Sequence, residues 1–221
     1  MKTWMIFGDS VMKGVIYDGR CYHLCQGHNL DFLQKDNVLI ENYAKMGASI
    51  ELTLSLMRPR LERAQEPAAV LIGCGGNDCD FDWQAVSDNP EGEHLPKTSP
   101  EDFITLYRSA IRLVQDHGAT PALATLLPLD VPRYLDHISR GRSRENILRW
   151  LGDCDHLYRW QEYYSSLICH LARAFGCPLI DIRAEFLRSR NFPELISPDG
   201  IHPTQAGYDL IHKVIAGAVR Y

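Results

Sequence analysis

Apolar residues gather in five short runs, at positions 3–8, 38–43, 69–74, 121–126 and 178–182. Most are continuous rather than alternating, the pattern of strands buried on both faces of a parallel sheet. Between the runs the spacing turns helical. Ser99-Pro100-Glu101-Asp102 sets an N-cap before a proline at the first helical position, and Phe103, Leu106, Ala110, Leu113 and Val114 then mark one face as far as Gly118. A second helix is predicted over 155–175, with Tyr164, Leu167, Ile168, Leu171 and Phe175 on one stripe and Gly176 at its end. A third follows Thr204 and carries Leu210, Ile211, Val214, Ile215 and Ala218. A weaker helical pattern covers 49–64, where Pro59 is expected to kink or shorten it. Strands alternating with helices require crossover connections. This predicts an α/β fold, a mostly parallel three-layer α/β/α sandwich.

Two segments exceed what a minimal sandwich needs. Positions 80–98 carry turn formers with Phe81 and Trp83, and positions 129–155 carry Arg133, Arg140, Arg142, Arg144 and Arg149 with Tyr134 and Trp150. Each begins where a central strand ends, on the side of an open α/β sheet where ligands bind. Connections this long at that edge read as lids or pocket walls inserted into one domain spanning 1–221.

Composition narrows the class. At 221 residues, 45% hydrophobic and 23% charged, the chain matches one soluble globular domain with a substantial core. A net charge of −5 supplies no basic surplus to displace counterions from phosphates, which argues against a nucleic-acid partner. The apolar runs are too short to span a bilayer. Met1-Lys2 leads straight into the first run with no hydrophobic leader, and seven scattered cysteines suit reduced thiols better than a disulfide framework. Both observations set the expectation of a cytoplasmic protein.

Ser10 gives the sheet edge a chemistry. It stands in Phe7-Gly8-Asp9-Ser10, where the first strand stops. A serine hydroxyl becomes a nucleophile only when a base within hydrogen-bond reach takes its proton. The candidate base is His202, in Ser197-Pro198-Asp199-Gly200-Ile201-His202-Pro203. Asp199, three residues earlier, would share its side of a helical turn, fix its tautomer and stabilise the imidazolium. Taken alone, Asp-x-x-His is also the pattern of a capped turn. Acyl transfer further needs donors aimed at the developing oxyanion. Gly73-Cys74-Gly75-Gly76-Asn77-Asp78 follows the third strand and offers the neutral amide of Asn77. Asn42-Tyr43-Ala44-Lys45-Met46-Gly47 follows the second and offers the Gly47 backbone N–H. Each glycine loop on its own also reads as a tight turn. Their common placement after successive strands makes them a set.

Gly8-Asp9-Ser10, the Gly47 loop, Gly75-Gly76-Asn77-Asp78 and Asp199-x-x-His202 occur in the order and context of the SGNH hydrolases, also called GDSL esterases and lipases. The chain resembles that family over nearly its whole length. The resemblance implies a flavodoxin-like sandwich with five parallel strands. It implies Ser10 as nucleophile, His202 as base and Asp199 as its orienting partner, with the Ser10 N–H, the Gly47 N–H and the Asn77 side chain forming the oxyanion hole. Val11 replaces the leucine of the eponymous motif, a conservative apolar exchange. The expected activity is that of a serine esterase without metal or organic cofactor, acting on a small-molecule or carbohydrate ester. A short O-acyl group such as acetate is the first expectation for substrate. Cleavage of lysophospholipids or thioesters, and acyl transfer, are alternatives on the same fold. A non-catalytic module binding an acylated ligand is the alternative of another class, although binding alone does not require a base and its orienter.

Other chemistries lack their motifs. There is no Gly-x-Ser-x-Gly elbow and no Gly-x-x-x-x-Gly-Lys-Ser/Thr loop, and Gly73-Cys74-Gly75 lacks the third glycine of a dinucleotide site. A phosphatase using Asp9 would place a second acid where Val11 stands. Cys21, His23, Cys25 and His28 cluster without the spacing of paired zinc knuckles and read as structural. Asp9 and Asp78 read as holders of loop N–H groups. Trp83, Tyr134 and Trp150 either line a substrate pocket or pack the long segments onto the core. The arginines from Arg133 to Arg149 read as a solvated helix face, with Arg133, nearest the strand end, the candidate to meet an anionic group.

Overall fold

In the computed structural model, which describes residues 2–31, 33, 38–64 and 69–219, the first apolar run is strand β1 (Lys2–Gly8). A one-turn helix α1 (Ser10–Lys13) and a hairpin of β2 (Val15–Tyr17) and β3 (Tyr22–Leu24) follow it. Next come β4 (Val38–Asn42), α2 (Ile50–Leu61), β5 (Ala69–Gly73) and α3 (Trp83–Asp88). Helix α4 (Pro100–Asp116) leads to β6 (Thr120–Ala124). Beyond it lie α5 (Val131–Ile138), α6 (Arg144–Leu151) and the long α7 (Asp155–Phe175). The described chain ends with β7 (Leu179–Ile180), α8 (Ile182–Arg188), α9 (Phe192–Leu195) and α10 (Gln205–Val219).

Strands β4-β1-β5-β6-β7 pair in that order, all in parallel, and helices cover both faces. Numbered by position among the sheet strands, this is the flavodoxin-like order, whose switch point lies beyond the carboxyl ends of β1 and β5. The continuous apolar runs are explained by two cores. Met5, Phe7, Val70, Ile72 and Leu123 face α2, α4 and α7. Their sequence neighbours Ile6, Leu71, Ala122 and Ala124 face α8 and α10, packing with Phe186, Tyr208, Ile211 and Ile215. The two-residue strand period thus alternates between two buried sides. Burying each large side chain contributes about 1.5–3 kcal/mol.

The two long segments form a third cluster. Trp83 and Val86 of α3, Leu135 and Ile138 of α5, and Ile147 and Leu151 of α6 pack with Phe81, Leu129 and Leu157. Each of these short helices has a side-chain cap at its start: Asp82, Asp130 and Ser143 accept backbone N–H groups of their first turns. The segments are therefore helical walls over the β5 and β6 ends.

Three expectations shift at element level. Helix α2 runs through Pro59 and ends at Leu61, short of the predicted 64. The proline falls in the last turn, where it deprives only the carbonyl of the exposed Ser55 of a helical donor. The last strand is two residues, not five, because Asp181 caps α8 by accepting from Ala184 N. The β2–β3 hairpin has no counterpart among the predicted elements. Its loop is Asp18-Gly19-Arg20-Cys21, with Asp18 Oδ1 accepting from the N–H groups of Arg20 and Cys21, both at 2.8 Å.

All seven cysteines are unpaired; Cys21 is exposed and Cys25 buried. Among the described residues, no group of side chains is placed to hold a metal ion, and no helix is long and apolar enough to cross a membrane.

Candidate active site

Ser10 is positioned by the close approach of two strands. Gly8 and Gly73 pair in register, and a Cβ at Gly8 would overlap the Gly73 carbonyl oxygen, so a side chain is excluded there. The chain leaves β1 through Asp9, whose carboxylate caps α1 by accepting from Val11 N at 2.9 Å. Ser10 is thereby the first residue of a helical turn, buried beyond the end of β1. Burial pushes the Asp9 carboxyl up to about 6, against the opposing pull of the Val11 N–H and of nearby His202.

His202 and Asp199 come from the turn before α10. His202 Nε2 lies 2.8 Å from Ser10 Oγ, and His202 Nδ1 lies 2.7 Å from Asp199 Oδ2. Asp199 Oδ1 accepts from the backbone N–H groups of Ile201, at 3.2 Å, and His202, at 3.1 Å. Burial works to raise the Asp199 pKa, but the His202 ring and these N–H groups outweigh it and hold the carboxyl below its usual range. An ionised carboxylate only accepts, so Nδ1 carries the proton and Nε2 is left to accept from the serine hydroxyl.

The aspartate and histidine share a side as expected, but through a tight turn rather than a helical one. Gly200, between them, has φ of +80°. A Cβ there would come within 2.6 Å of the Asp130 carbonyl oxygen and closer still to Tyr134 N. Asp130 N also donates to the Gly200 carbonyl at 3.0 Å. The start of α5 is thus pressed against the turn that carries the histidine.

Asn77, after β5, lines the same cavity as Ser10 and His202. Its Nδ2 donates to the Ala48 carbonyl at 3.3 Å, which ties it to the loop holding Gly47 and leaves its second N–H uncommitted. Gly47 itself is exposed and is not among the residues lining the cavity. The neighbouring Asp78 is buried and organises both loops. It accepts from Ile50 N at 3.0 Å and from Thr98 Oγ1 at 2.7 Å, and burial raises its pKa.

The cavity, of about 130 Å³, extends from Ser10 under the walls of the third cluster. Trp83 and Tyr134 line it; Trp150 does not, and instead packs edge-on against Phe81 and Trp83. Arg133 does not face the cavity. Its Nη1 donates to the carbonyls of Pro193, at 2.7 Å, and Ile196, at 2.6 Å, while its Nε pairs with Asp130 at 3.3 Å. Carbonyls at the end of α9 lack helical donors, and the guanidinium supplies them, so Arg133 is committed to the protein.

Sequence reasoning missed Tyr22. Its ring packs edge-on against His202, with centroids 5.3 Å apart. Tyr22 leans on Tyr17, and Tyr17 in turn accepts a 2.8 Å hydrogen bond from Arg140 beyond α5. The Asp-Gly dipeptide between two β-forming runs was the available signal.

The sequence matches the GDSL-like Lipase/Acylhydrolase family over residues 6–210. Compared with curated proteins, it matches none. Among solved structures, the lipase/acylhydrolase from Enterococcus faecalis is 18% identical with a TM-score of 0.69, covering 100% of this chain and 96% of that one. The psychrotrophic esterase EstA from Pseudoalteromonas sp., in a structure inhibited by monoethylphosphonate, is 16% identical with a TM-score of 0.63, over 100% of this chain and 97% of its own. An acetyl xylan esterase, AlAXEase, is 21% identical with a TM-score of 0.64, over 98% and 99%. At such identities these structures share the fold. The family match, covering most of the chain, goes further: the protein belongs to the GDSL-like lipase/acylhydrolase family of SGNH hydrolases, enzymes acting on ester bonds.

Proposed function

We propose that the protein is a serine esterase in which Ser10 attacks the ester carbonyl while His202 Nε2 takes its proton. The observation that carries this reading is the unbroken chain Asp199–His202–Ser10, with links of 2.7 and 2.8 Å. Asp199, ionised and buried, fixes the tautomer and stabilises the imidazolium. The uncommitted N–H of Asn77, with the backbone N–H groups of Gly47 and Ser10, is assigned to the oxyanion. His202 then protonates the departing alcohol, and water cleaves the acyl-enzyme by the same route.

The cavity supports a compact group next to the scissile bond. A cavity of about 150 Å³ holds benzene, and this one is about 130 Å³. That favours short-acyl esters of a small molecule or carbohydrate, acetate included, over long-chain lipids. Seven unpaired cysteines support a reducing compartment, the cytoplasm, as the place of action.

Turnover of p-nitrophenyl acetate by wild type and Ser10→Ala tests the mechanism. The variant is expected to lose roughly three or more orders of magnitude in kcat. Equal turnover by the two proteins overturns it. A series of p-nitrophenyl esters is expected to fall steeply beyond short chains, and a preference for long chains overturns the size argument.

A further inference from the structure

Apolar and aromatic side chains line much of the cavity beside Ser10, and Asp9, Asn77, Asp80, Thr125, His156 and Gln161 join the Ser10–His202 pair as its polar groups. Trp83, Tyr134 and Trp160 line it with their polar atoms already engaged. Trp83 Nε1 and the Tyr134 hydroxyl both donate to Asp80 Oδ1 at 2.8 Å, and Trp160 Nε1 donates to the Cys79 carbonyl at 2.9 Å. Lys97 Nζ occupies the other oxygen of Asp80 at 2.8 Å. Gln161 breaks the pattern. It lies on α7 one turn from Leu157 and one turn from Ser165, lines the cavity and is only 8% exposed. Ser165 Oγ accepts from Leu126 N at 3.3 Å, whereas Gln161 Oε1 is buried with no hydrogen-bond partner among the described residues. A buried amide oxygen left unpaired costs free energy, and native structures seldom carry one without a reason.

Resting on the reading of Ser10 as an ester-cleaving nucleophile, we propose that Gln161 is a specificity-determining residue, and that the half of the ester held in this cavity is a ring-sized apolar group bearing a hydroxyl. A hydroxyphenyl group is the best-fitting case. The volume, about 130 Å³, matches a single ring, since a cavity of about 150 Å³ holds benzene. The surrounding indole and phenol rings offer edges and faces to an aromatic guest. A hydroxyl donates to Oε1 and accepts from Nε2, so it satisfies the carboxamide in either orientation. An anionic group is not served: it has no proton for Oε1, and Asp9 and Asp80 line the same cavity. A bare ring fits the space but leaves Oε1 unpaired, the situation in which polar sites discriminate strongly.

The test compares kcat/KM for paired esters with wild type, Gln161→Met and Gln161→Leu. Methyl phenylacetate against methyl para-hydroxyphenylacetate probes the acyl half, and phenethyl acetate against para-hydroxyphenethyl acetate probes the alcohol half. Wild type is expected to prefer the hydroxylated member of one pair by roughly tenfold or more. Both variants should lose that preference, read as the ratio of kcat/KM within each pair, with melting temperatures near wild type. Equal rates within both pairs, or a preference that survives both substitutions, overturns the inference. Binding of para-cresol against toluene to Ser10→Ala is the second readout and does not depend on turnover. Tighter binding of para-cresol, lost on adding Gln161→Met, upholds the role of Gln161 even if the Ser10 mechanism fails. Equal binding of the two overturns that role even if Ser10 proves essential.

Discussion

The ring of Tyr22 stands edge-on to the imidazole of His202, at 65° between planes, although the two residues come from opposite ends of the chain. Tyr22 is 42% exposed, so little core depends on it. Edge-to-face aromatic pairs are worth about 0.5–1.5 kcal/mol, which as lost orientation of the base corresponds to a fall of roughly two- to tenfold in rate. Tyr22→Ala is expected to lower kcat/KM by that amount with little change in melting temperature. Tyr22→Phe should behave as wild type, because the ring makes the contact. Full activity in the alanine variant would show that the hairpin is a bystander.

Asn77→Ala is expected to reduce kcat by roughly a hundredfold or more, the cost of deleting one oxyanion donor. Its bond to the Ala48 carbonyl is long at 3.3 Å and only partly buried, so urea unfolding should shift little. A variant that loses activity only because it no longer folds would assign Asn77 to structure instead.

Stability should depend on pH through Asp9. Its carboxyl titrates near 6 in the folded protein, against an ordinary 3.8, because burial favours the neutral form. The folded state therefore binds this proton more tightly than the unfolded chain. The resulting stabilisation is complete below about pH 4 and is lost as pH rises through about 6. Asp9→Asn keeps an acceptor for Val11 N and removes the ionisation. Its unfolding free energy should match wild type near pH 4 and exceed it at pH 8, by at most about 3 kcal/mol. Parallel pH profiles for the two proteins would contradict this.

Gly200→Ala meets backbone on two sides at a positive φ, with no flexible side chain to yield. A loss of about 3 kcal/mol or more is expected in denaturant melts, with activity falling because the Asp199–His202 turn must move. An alanine variant as stable and active as wild type would mean that this packing is looser than the distances indicate.

The sheet and the long helices were legible because their signals are long and consistent: continuous apolar runs for β1 and β5, and Ser99-Pro100 before a clear stripe for α4. Ser10, Asn77, Asp199 and His202 stood out as candidates because each follows a strand end or precedes a helix start, and the structure brings Ser10, His202 and Asp199 into one hydrogen-bonded chain with Asn77 on the same cavity. Three features were not legible. The helices α3, α5 and α6 are six to eight residues long and too short to show a period, although Asp82, Asp130 and Ser143 stood at their starts. The partners of Arg133 are main-chain carbonyls some 60 positions away, which no local pattern reveals. Gln161 sits on the buried stripe of α7, where a single polar residue reads as tolerated rather than purposeful.

The contact between Gly200 and the start of α5 also bears on how enzymes of this kind could change diet. The wall that shapes the cavity and the turn that holds His202 share one backbone seam. Lengthening or shortening the chain near 130–134 would therefore displace His202 along with the wall. Side chains facing the cavity from Phe81, Trp83, Leu151 and Leu157 carry no such tie to the turn. New substrates are more readily accommodated by exchanging those residues on a fixed frame than by remodelling the loop.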